Sequence, residues 1–468
     1  GKGMRLAFGE AELREGFDAV RREAKAAFGD DRVFIEKFVE GPRHIEIQVL
    51  ADAHGNTLSL FERECSIQRR HQKVIEEAPS PFVTPEMRAA MGAQAVALAR
   101  AVGYRSAGTV EFIAGADRSF YFLEMNTRLQ VEHPVTEAIT GLDLVEWMIR
   151  IAAGERLPFS QEDLRIDGWA IESRVYAEDP YRNFLPAIGR LSRYREPAAA
   201  RVDSGVREGG EISVHYDPLI AKVITHGPTR EAAIDAQAEA LDRFVVRGPG
   251  HNIDFLAAIM AHPRFRSGAQ TTGFIAEEYP EGFRGAPLAE ATRTAMVAAA
   301  ALALARIAAR AASIDGQLGG PVAPAREWAV LLGGERHDVR VEADDGQTAR
   351  LRLGERVIGL TTPWRPGMLL LDGTLDGQPV AVQIDPRPPG FRLTARGARR
   401  DVRVLTPRAA DLSVHMIERP PPDTSRLLLS PMPGLLTQLR VGEGDQVEEG
   451  QPIAVVEAMK MENILRAP

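Results

Sequence analysis

A run of alternating polar residues offers the clearest chemistry in this 468-residue chain. Glu124, Asn126, Arg128, Gln130 and Glu132 occupy every second position directly after the apolar run Phe120-Tyr121-Phe122-Leu123. In an extended segment, that spacing points all five side chains the same way. Glu111, on an earlier apolar stretch, adds a further carboxylate. Glu111, Glu124 and the Asn126 amide are hard oxygen donors, the kind that Mg²⁺ takes together with substrate phosphates. A solvated edge strand with paired charges shows the same alternation, but the abrupt switch from strongly apolar to strongly polar favours chemistry. A second reactive feature is Lys460, set between Met459 and Met461. The apolar run 452–456 leads into it and Ile464-Leu465 leads out, which reads as two short strands joined by a tight turn. A free amine on a rigid turn suits covalent attachment, because a modifying enzyme must grip the turn and the attached group must swing.

These groups need elements to position them. Residues 10–28 read as a helix with Leu13, Phe17 and Val20 on one side, ended by Gly29-Asp30-Asp31. Residues 32–39 read as an apolar strand carrying Glu36 and Lys37. Residues 44–50 alternate, with Ile45, Ile47 and Val49 on one face and His44, Glu46 and Gln48 on the other. A turn at 52–56 leads to a partner strand at 57–61, and a dense polar patch spans 62–73. Pro85 opens a helix to about residue 102. Strands at 109–113 and 120–125 flank Gly115-Ala116-Asp117, the second reading as buried. Helices are expected at 142–153, 229–245 and 252–260, with a strand at 170–175, closing one α+β unit near residue 283. An alanine-rich helix at 288–313 then precedes many short strands between 326 and 404, which read as a small barrel or meander. A proline-rich linker at 418–425 leads to a small all-β module with turns at Gly442, Gly444 and Gly450.

Length and composition set bounds. The chain is long enough for about three domains. Its apolar fraction of 44% is that of a globular protein with sizeable cores. A net charge of −8 points away from nucleic acid and acidic membrane surfaces as partners. The longest uncharged helical run, 295–305, is too short to span a bilayer. Cys65 is the only cysteine, which rules out an intrachain disulfide and fits a reducing compartment.

Two motifs carry a resemblance. Ala458-Met459-Lys460-Met461, preceded by Pro431-Met432-Pro433-Gly434, resembles the signature of biotinyl carrier domains. Glu124-Met125-Asn126-Thr127-Arg128-Leu129-Gln130-Val131-Glu132-His133-Pro134-Val135-Thr136-Glu137 resembles that of biotin carboxylases of the ATP-grasp class. Residues 66–73 and 172–180 match the same class. The chain is thereby similar to α subunits of biotin-dependent acyl-CoA carboxylases. The middle block and residues 204–206, 216–222, 247–253 and 279–283 resemble the propionyl-CoA member most. The implied architecture is multidomain α+β. It comprises the remainder of an ATP-grasp lid (1–38), a biotin carboxylase unit (39–284) and a linking domain of long helix plus antiparallel β-barrel that docks a β subunit (285–417). A linker (418–426) and a partial carrier, or hammerhead, domain (427–468) follow. The chain reads as a fragment, opening inside a glycine-rich loop at Gly1-Lys2-Gly3 and ending just after the carrier hairpin.

The resemblance also implies roles. Lys460 would carry biotin. Glu36, Lys37, Phe38 and Val39 would line the adenine site, and His44, Gln68 and His71 would contact ATP. Glu111, Glu124 and Asn126 would hold two Mg²⁺ or Mn²⁺ ions across its phosphates. Lys73, Arg128, Gln130, Val131 and Arg174 would bind bicarbonate and the carboxyphosphate made from it, with Glu132 as base. Arg174 would also stabilise the biotin anion, and Phe184 either packs against the biotin rings or is an ordinary core residue. The implied partners are a carboxyltransferase β subunit and biotin protein ligase. The compartment would be the cytoplasm of a bacterium or a mitochondrial matrix. Alternatives are the 3-methylcrotonyl-CoA or another acyl-CoA carboxylase, a non-catalytic biotin carrier and scaffold, and an ATP-grasp ligase without biotin.

Overall fold

The computed structural model describes residues 4–213, 215–316, 323–417, 427–430, 434–458 and 461–467. Helix α1 (Glu10–Phe28) ends where Gly29 takes a left-handed φ of 75° and its N–H closes on the Lys25 carbonyl. Residues 32–39, expected as a strand, form none. Phe34, Ile35 and Phe38 are exposed, and no neighbouring strand pairs with the segment among the described residues.

The alternating segment becomes β1 (Arg43–Ala51), the seed of an antiparallel sheet. Strands β2 (Thr57–Arg69) and β3 (Gln72–Ala78) follow as one long hairpin, its turn made by Arg70 and His71 at positive φ. The polar patch expected at 62–73 is therefore mostly strand, with Glu62, Arg63 and Glu64 carried into the interior and Arg70 and His71 left exposed at the turn. Helix α2 (Pro85–Ala101) starts with Thr84 accepting from the Met87 N–H and with proline in the first turn. Strands β4 (Ser106–Ala114) and β5 (Phe120–Asn126) form a second hairpin. Helices α3 (His133–Thr140) and α4 (Leu144–Ala152) come next. α3 was not legible in the sequence, being short and opened by His133-Pro134. Strands β6 (Trp169–Tyr176), β7 (Arg201–Ser204) and β8 (Leu219–Gly227) complete the sheet, in the order β7-β8-β6-β3-β2-β1-β4-β5. β5 lies at its edge, and Tyr121, Phe122 and Leu123 are 40–50% exposed, against the buried strand expected. Helices α5 (Arg230–Arg243) and α6 (Ile253–Ala261) pack beside β6 and β8.

The sheet has two unlike faces because side chains alternate along a strand. Ile45, Ile47, Val49, Val110 and Phe112 meet Met87, Met91 and Ala95 of α2 in a dry layer. The opposite face of the same strands carries Glu46, Gln48, Thr109 and Glu111, all buried.

Helix α7 (Glu290–Ala312) is the alanine-rich segment, and residues 295–303 are buried without interruption, so every face of it is covered. What covers it is a closed eight-stranded antiparallel barrel. Its strands are β9 (Glu327–Leu332), β10 (Glu335–Asp344), β11 (Thr348–Leu353) and β12 (Arg356–Thr361), then β13 (Leu370–Leu375), β14 (Gln378–Arg387), β15 (Gly390–Ala395) and β16 (Ala398–Leu405). β16 pairs with β9 and closes the circle. Gly333 and Gly334, both at positive φ, make the two-residue turn between β9 and β10 that matches strand twist. One apolar core runs from β6, β8, α5 and α6 into α7 and the barrel. Polar ties across this junction include Arg247 to Asp385 at 2.7 Å, and the Gln383 amide donating to the carbonyls of Asp242 and Phe244.

Strands β17 (Leu435–Leu439), β18 (Pro452–Ala458) and β19 (Met461–Arg466) form the last sheet. Ala458 pairs with Met461, as a tight hairpin requires. Lys460 lies outside the described residues, as do Lys2, residues 431–433 and the linker at 418–426.

Ala298, Ala299, Ala300 and Ala301 are all fully buried, so a larger side chain at one of these positions must displace packed neighbours. Ala300→Leu, at a position with no exposure, should cost about 1–3 kcal/mol through overpacking. Urea unfolding should show the midpoint falling with little change in m value; an unchanged midpoint would mean that the barrel leaves a void beside the helix.

Candidate functional site

Strand register brings the polar face together. Glu111 of β4 lies opposite Glu124 of β5 and, on its other side, opposite Glu46 of β1, which in turn faces Arg63 of β2. The row therefore crosses four strands. On β3 a one-residue shift of register between Lys73 and Ile75 puts Lys73 and Glu76 on the same face. On β6, Arg174 lies opposite Lys222 of β8.

Arg63 has no exposed surface, and its five N–H groups all find oxygens. Nε donates to Glu46 at 2.5 Å, Nη1 to Gln48 and Thr136, and Nη2 to Thr109 and Gln130. Lys73 Nζ donates to Glu46 at 2.5 Å, Glu132 at 2.5 Å and Glu111 at 3.0 Å. Arg174 Nε donates to Glu76 at 2.6 Å, and its Nη2 to Glu132 at 3.0 Å. Glu132, at the start of α3, is thus gripped by two cations on different strands. His44 Nε2 sits 2.9 Å from Glu111, while Gln68 holds the other ring nitrogen at 2.7 Å. Gln130 and Asn126 both donate to Glu111.

Electrostatics follow from this crowding. Burial would raise the Glu46 carboxyl, but Arg63 and Lys73 hold it down at about 2. Burial works the same way on Glu111, and His44 and Lys73 bring it to about 2. Burial would lower Lys73, but Glu46 and the other acids around it keep it well above the ordinary lysine value, so its charge is permanent.

The sequence-predicted residues are only partly gathered. Lys73, Glu111, Gln130, Glu132 and Arg174 converge, and His44, Gln68, Glu124 and Asn126 adjoin them. The single alternating strand expected for 124–132 is corrected: β5 stops at Asn126, and Gln130 and Glu132 arrive from the loop and the helix start that follow. Arg128 stays exposed at the rim, with Nη2 3.4 Å from Asn126. The Val131 carbonyl accepts from Lys222 at 2.8 Å. His71 is at the β2–β3 turn, exposed. Glu36, Lys37 and Phe38 lie along the exposed edge, where Lys37 donates to Tyr121 at 3.1 Å, and Val39 is half-buried. Phe184 is 6% exposed, edge-on to Phe255 at 4.8 Å and covered by Arg69 at 4.6 Å, the surroundings of a core phenylalanine.

Sequence reasoning passed over Arg63, Glu46, Glu76, Glu172 and Lys222 as functional residues. The signal available was the recurrence of charged and polar residues at alternate positions of strands whose other face is apolar. The donor set fits a hard divalent cation: Glu111 and Glu124 are cross-strand neighbours, and the Asn126 side-chain amide lies between them, its nitrogen donating to both and its oxygen accepting from Arg128.

Glu46 tests the network. Its folded-state value is depressed, so its contribution is complete above the ordinary range near 4.5 and is lost as pH falls through about 2. Glu46→Gln should destabilise the protein by about 3–5 kcal/mol at neutral pH, because it leaves Arg63 and Lys73 buried without their shared partner. The gap to the wild type in thermal unfolding should narrow on acidification, and a gap independent of pH would point to packing instead.

Comparison with known proteins accords with this geometry. Residues 1–160 match the carbamoyl-phosphate synthase L chain ATP-binding domain, and residues 172–277 the biotin carboxylase C-terminal domain. Residues 296–419 match the propionyl-coenzyme A carboxylase BT domain, and residues 427–468 the biotin-requiring enzyme family. Among solved structures, the biotin carboxylase domain of a thermophilic 2-oxoglutarate carboxylase bound to bicarbonate is 48% identical. It covers 59% of this chain and 63% of its own, with a TM-score of 0.57. The propionyl-CoA carboxylase alpha chain of Ruegeria pomeroyi is 55% identical over the whole of this chain, which spans 72% of it. The mitochondrial alpha chain of Homo sapiens is 48% identical, with 65% of its length spanned. The methylcrotonoyl-CoA carboxylase subunit alpha of Dictyostelium discoideum is 40% identical, with 69% spanned. The convergent charges on one sheet face, the barrel around α7 and the terminal hairpin all occur in one chain with this likeness along its full length, and the chain belongs to the family of propionyl-CoA carboxylase alpha chains.

Proposed function

We propose that the polar face of the sheet carboxylates biotin carried on Lys460, with ATP and bicarbonate. The carboxyl group then passes to propionyl-CoA on a carboxyltransferase β subunit. The chain is an ATP-dependent biotin carboxylase. Biotin, ATP and Mg²⁺ are its cofactors, and a carboxyltransferase β chain is its partner. The observation that carries the site assignment is the convergence of Lys73 and Arg174 on Glu132. Bicarbonate is an anion and a weak nucleophile, so it needs cations to hold it and a carboxylate to take its proton. Lys73 and Arg174 supply the first and Glu132 the second. Gln130, the Val131 backbone and Arg128 complete the pocket, and Arg128 enters from the rim. Glu111, Glu124 and Asn126 would hold Mg²⁺ or Mn²⁺, which neutralises phosphate charge during transfer. Glu36, Lys37, Phe38 and Val39 form the adenine edge, with His44, Gln68 and His71 toward the phosphates. Arg174 also suits the developing negative charge on the biotin ureido oxygen. We assign β-subunit docking to residues 285–417 and the carrier to 427–468, with biotin protein ligase loading Lys460. The compartment is the cytoplasm in a bacterium or the matrix in a mitochondrion.

Three measurements on the full-length protein test this. Glu132→Gln should lower bicarbonate-dependent ATP cleavage by about 10²–10⁴-fold, the usual contribution of a positioned base. Lys460→Ala should abolish streptavidin reactivity but leave ATP cleavage measurable with free biotin. With the β partner present, radiolabelled bicarbonate should enter propionyl-CoA in preference to acetyl- and 3-methylcrotonyl-CoA. A preference for 3-methylcrotonyl-CoA would move the chain to the other acyl specificity.

A further inference from the structure

Beneath Arg174 lie two carboxylates that the reaction as described does not use. Glu76 of β3 and Glu172 of β6 are direct cross-strand partners, and both have no exposed surface. Such neighbours hold their Cβ atoms about 5 Å apart. Glu76 Oε1 accepts from Arg174, but Glu76 Oε2 and both oxygens of Glu172 have no hydrogen-bond partner among the described residues. Unpartnered buried carboxylate oxygens in this number require an explanation.

A shared proton supplies one. Two carboxylates this close in a dry interior cannot both be ionised, as the catalytic acid pairs of aspartic proteases illustrate. A protonated carboxyl becomes a donor, so one proton between Glu76 Oε2 and one oxygen of Glu172 satisfies two of the three oxygens that otherwise have nothing. The charged groups around the pair are Lys73 on β3, Arg174 and Tyr176 on β6, Lys222 on β8, Cys65 on β2 and Glu132 at the start of α3. Burial, against the pull of Arg174, raises Glu76 to about 7. Burial and the neighbouring Glu76 raise Glu172 well above the carboxylate range.

We propose that Glu76 and Glu172 form a proton-sharing carboxyl pair that positions Arg174 and keeps the anion pocket from becoming too negative to admit bicarbonate. With one proton on the pair, Arg174 faces one negative charge beneath it and Glu132 beside it. Without that proton, a second buried negative charge sits two residues along the strand from the guanidinium. Arg174 is then neutralised from below, and an incoming anion meets net repulsion. Both are positioning residues that act through Arg174: Glu76 accepts from its guanidinium, and Glu172 faces Glu76 across the strands. The inference rests on the bicarbonate reading of the site.

The experiment is the pH dependence of KM for bicarbonate in ATP cleavage by the full-length protein, corrected for the bicarbonate fraction. In the wild type, KM should rise by about tenfold per pH unit above the midpoint of the pair, while kcat at saturating bicarbonate changes little. Glu172→Gln keeps a permanent donor toward Glu76 and fixes the charge of the pair, so its KM should stay flat over the same range. Infrared difference spectra should show the C=O stretch of a protonated buried carboxyl in the wild type, lost in Glu172→Gln. A variant KM that climbs in parallel with the wild type, or no protonated carboxyl band in the wild type, overturns the pair. A wild type without bicarbonate-dependent ATP cleavage overturns the functional reading instead, so the two failures are told apart.

Discussion

The buried guanidinium of Arg63 is the constraint on which the site depends. An arginine with no exposed surface is tolerable only when every N–H has a partner. Here the partners come from β1, β4, the loop after β5 and the first turn of α3. A slip of one residue in β1 or β4 would turn Glu46 and Gln48, or Thr109, to the apolar side, so a single cation on β2 enforces the register of three strands. It also fixes Gln130 and hence the path of the chain from β5 into α3, which delivers Glu132.

Charge is then handed along the sheet. Arg63 and Lys73 share Glu46, Lys73 reaches Glu111 and Glu132, and Arg174 links Glu132 to Glu76. Each acid in the chain is stabilised by a cation that also belongs to another acid. Such a network is costly to desolvate and contributes little net stability compared with apolar packing. Its effect is preorganisation: the cations and carboxylates hold one another in place, so little reorganisation would remain for chemistry at this face. The dry layer of Ile45, Ile47, Val49 and α2 on the reverse face supplies the rigidity this demands.

The barrel solves a different problem. A closed barrel has no free edges, and filling it with an alanine-rich helix lets eight strands close at short range. The same core continues into the sheet unit, so the barrel is fastened to it through packing as well as through Arg247–Asp385.

The sequence alone determined the elements with strong local signals. The alternation of β1, the proline-opened α2, the alanine-rich α7, the many short barrel strands and the two strands that flank residues 459–460 were all legible, because periodicity and turn chemistry act within a few residues. The acids and amides of the signature run were legible as chemistry for the same reason. Tertiary structure decided the rest. Whether Phe122 is buried depends on β5 being an edge, and whether 32–39 is a strand depends on a neighbour to pair with. Arg63, Glu76, Glu172 and Lys222 had no individual role that local pattern could assign. Their meaning comes from cross-strand register between segments up to about a hundred residues apart, as in Glu76 with Glu172, and no local pattern encodes which strand will lie alongside.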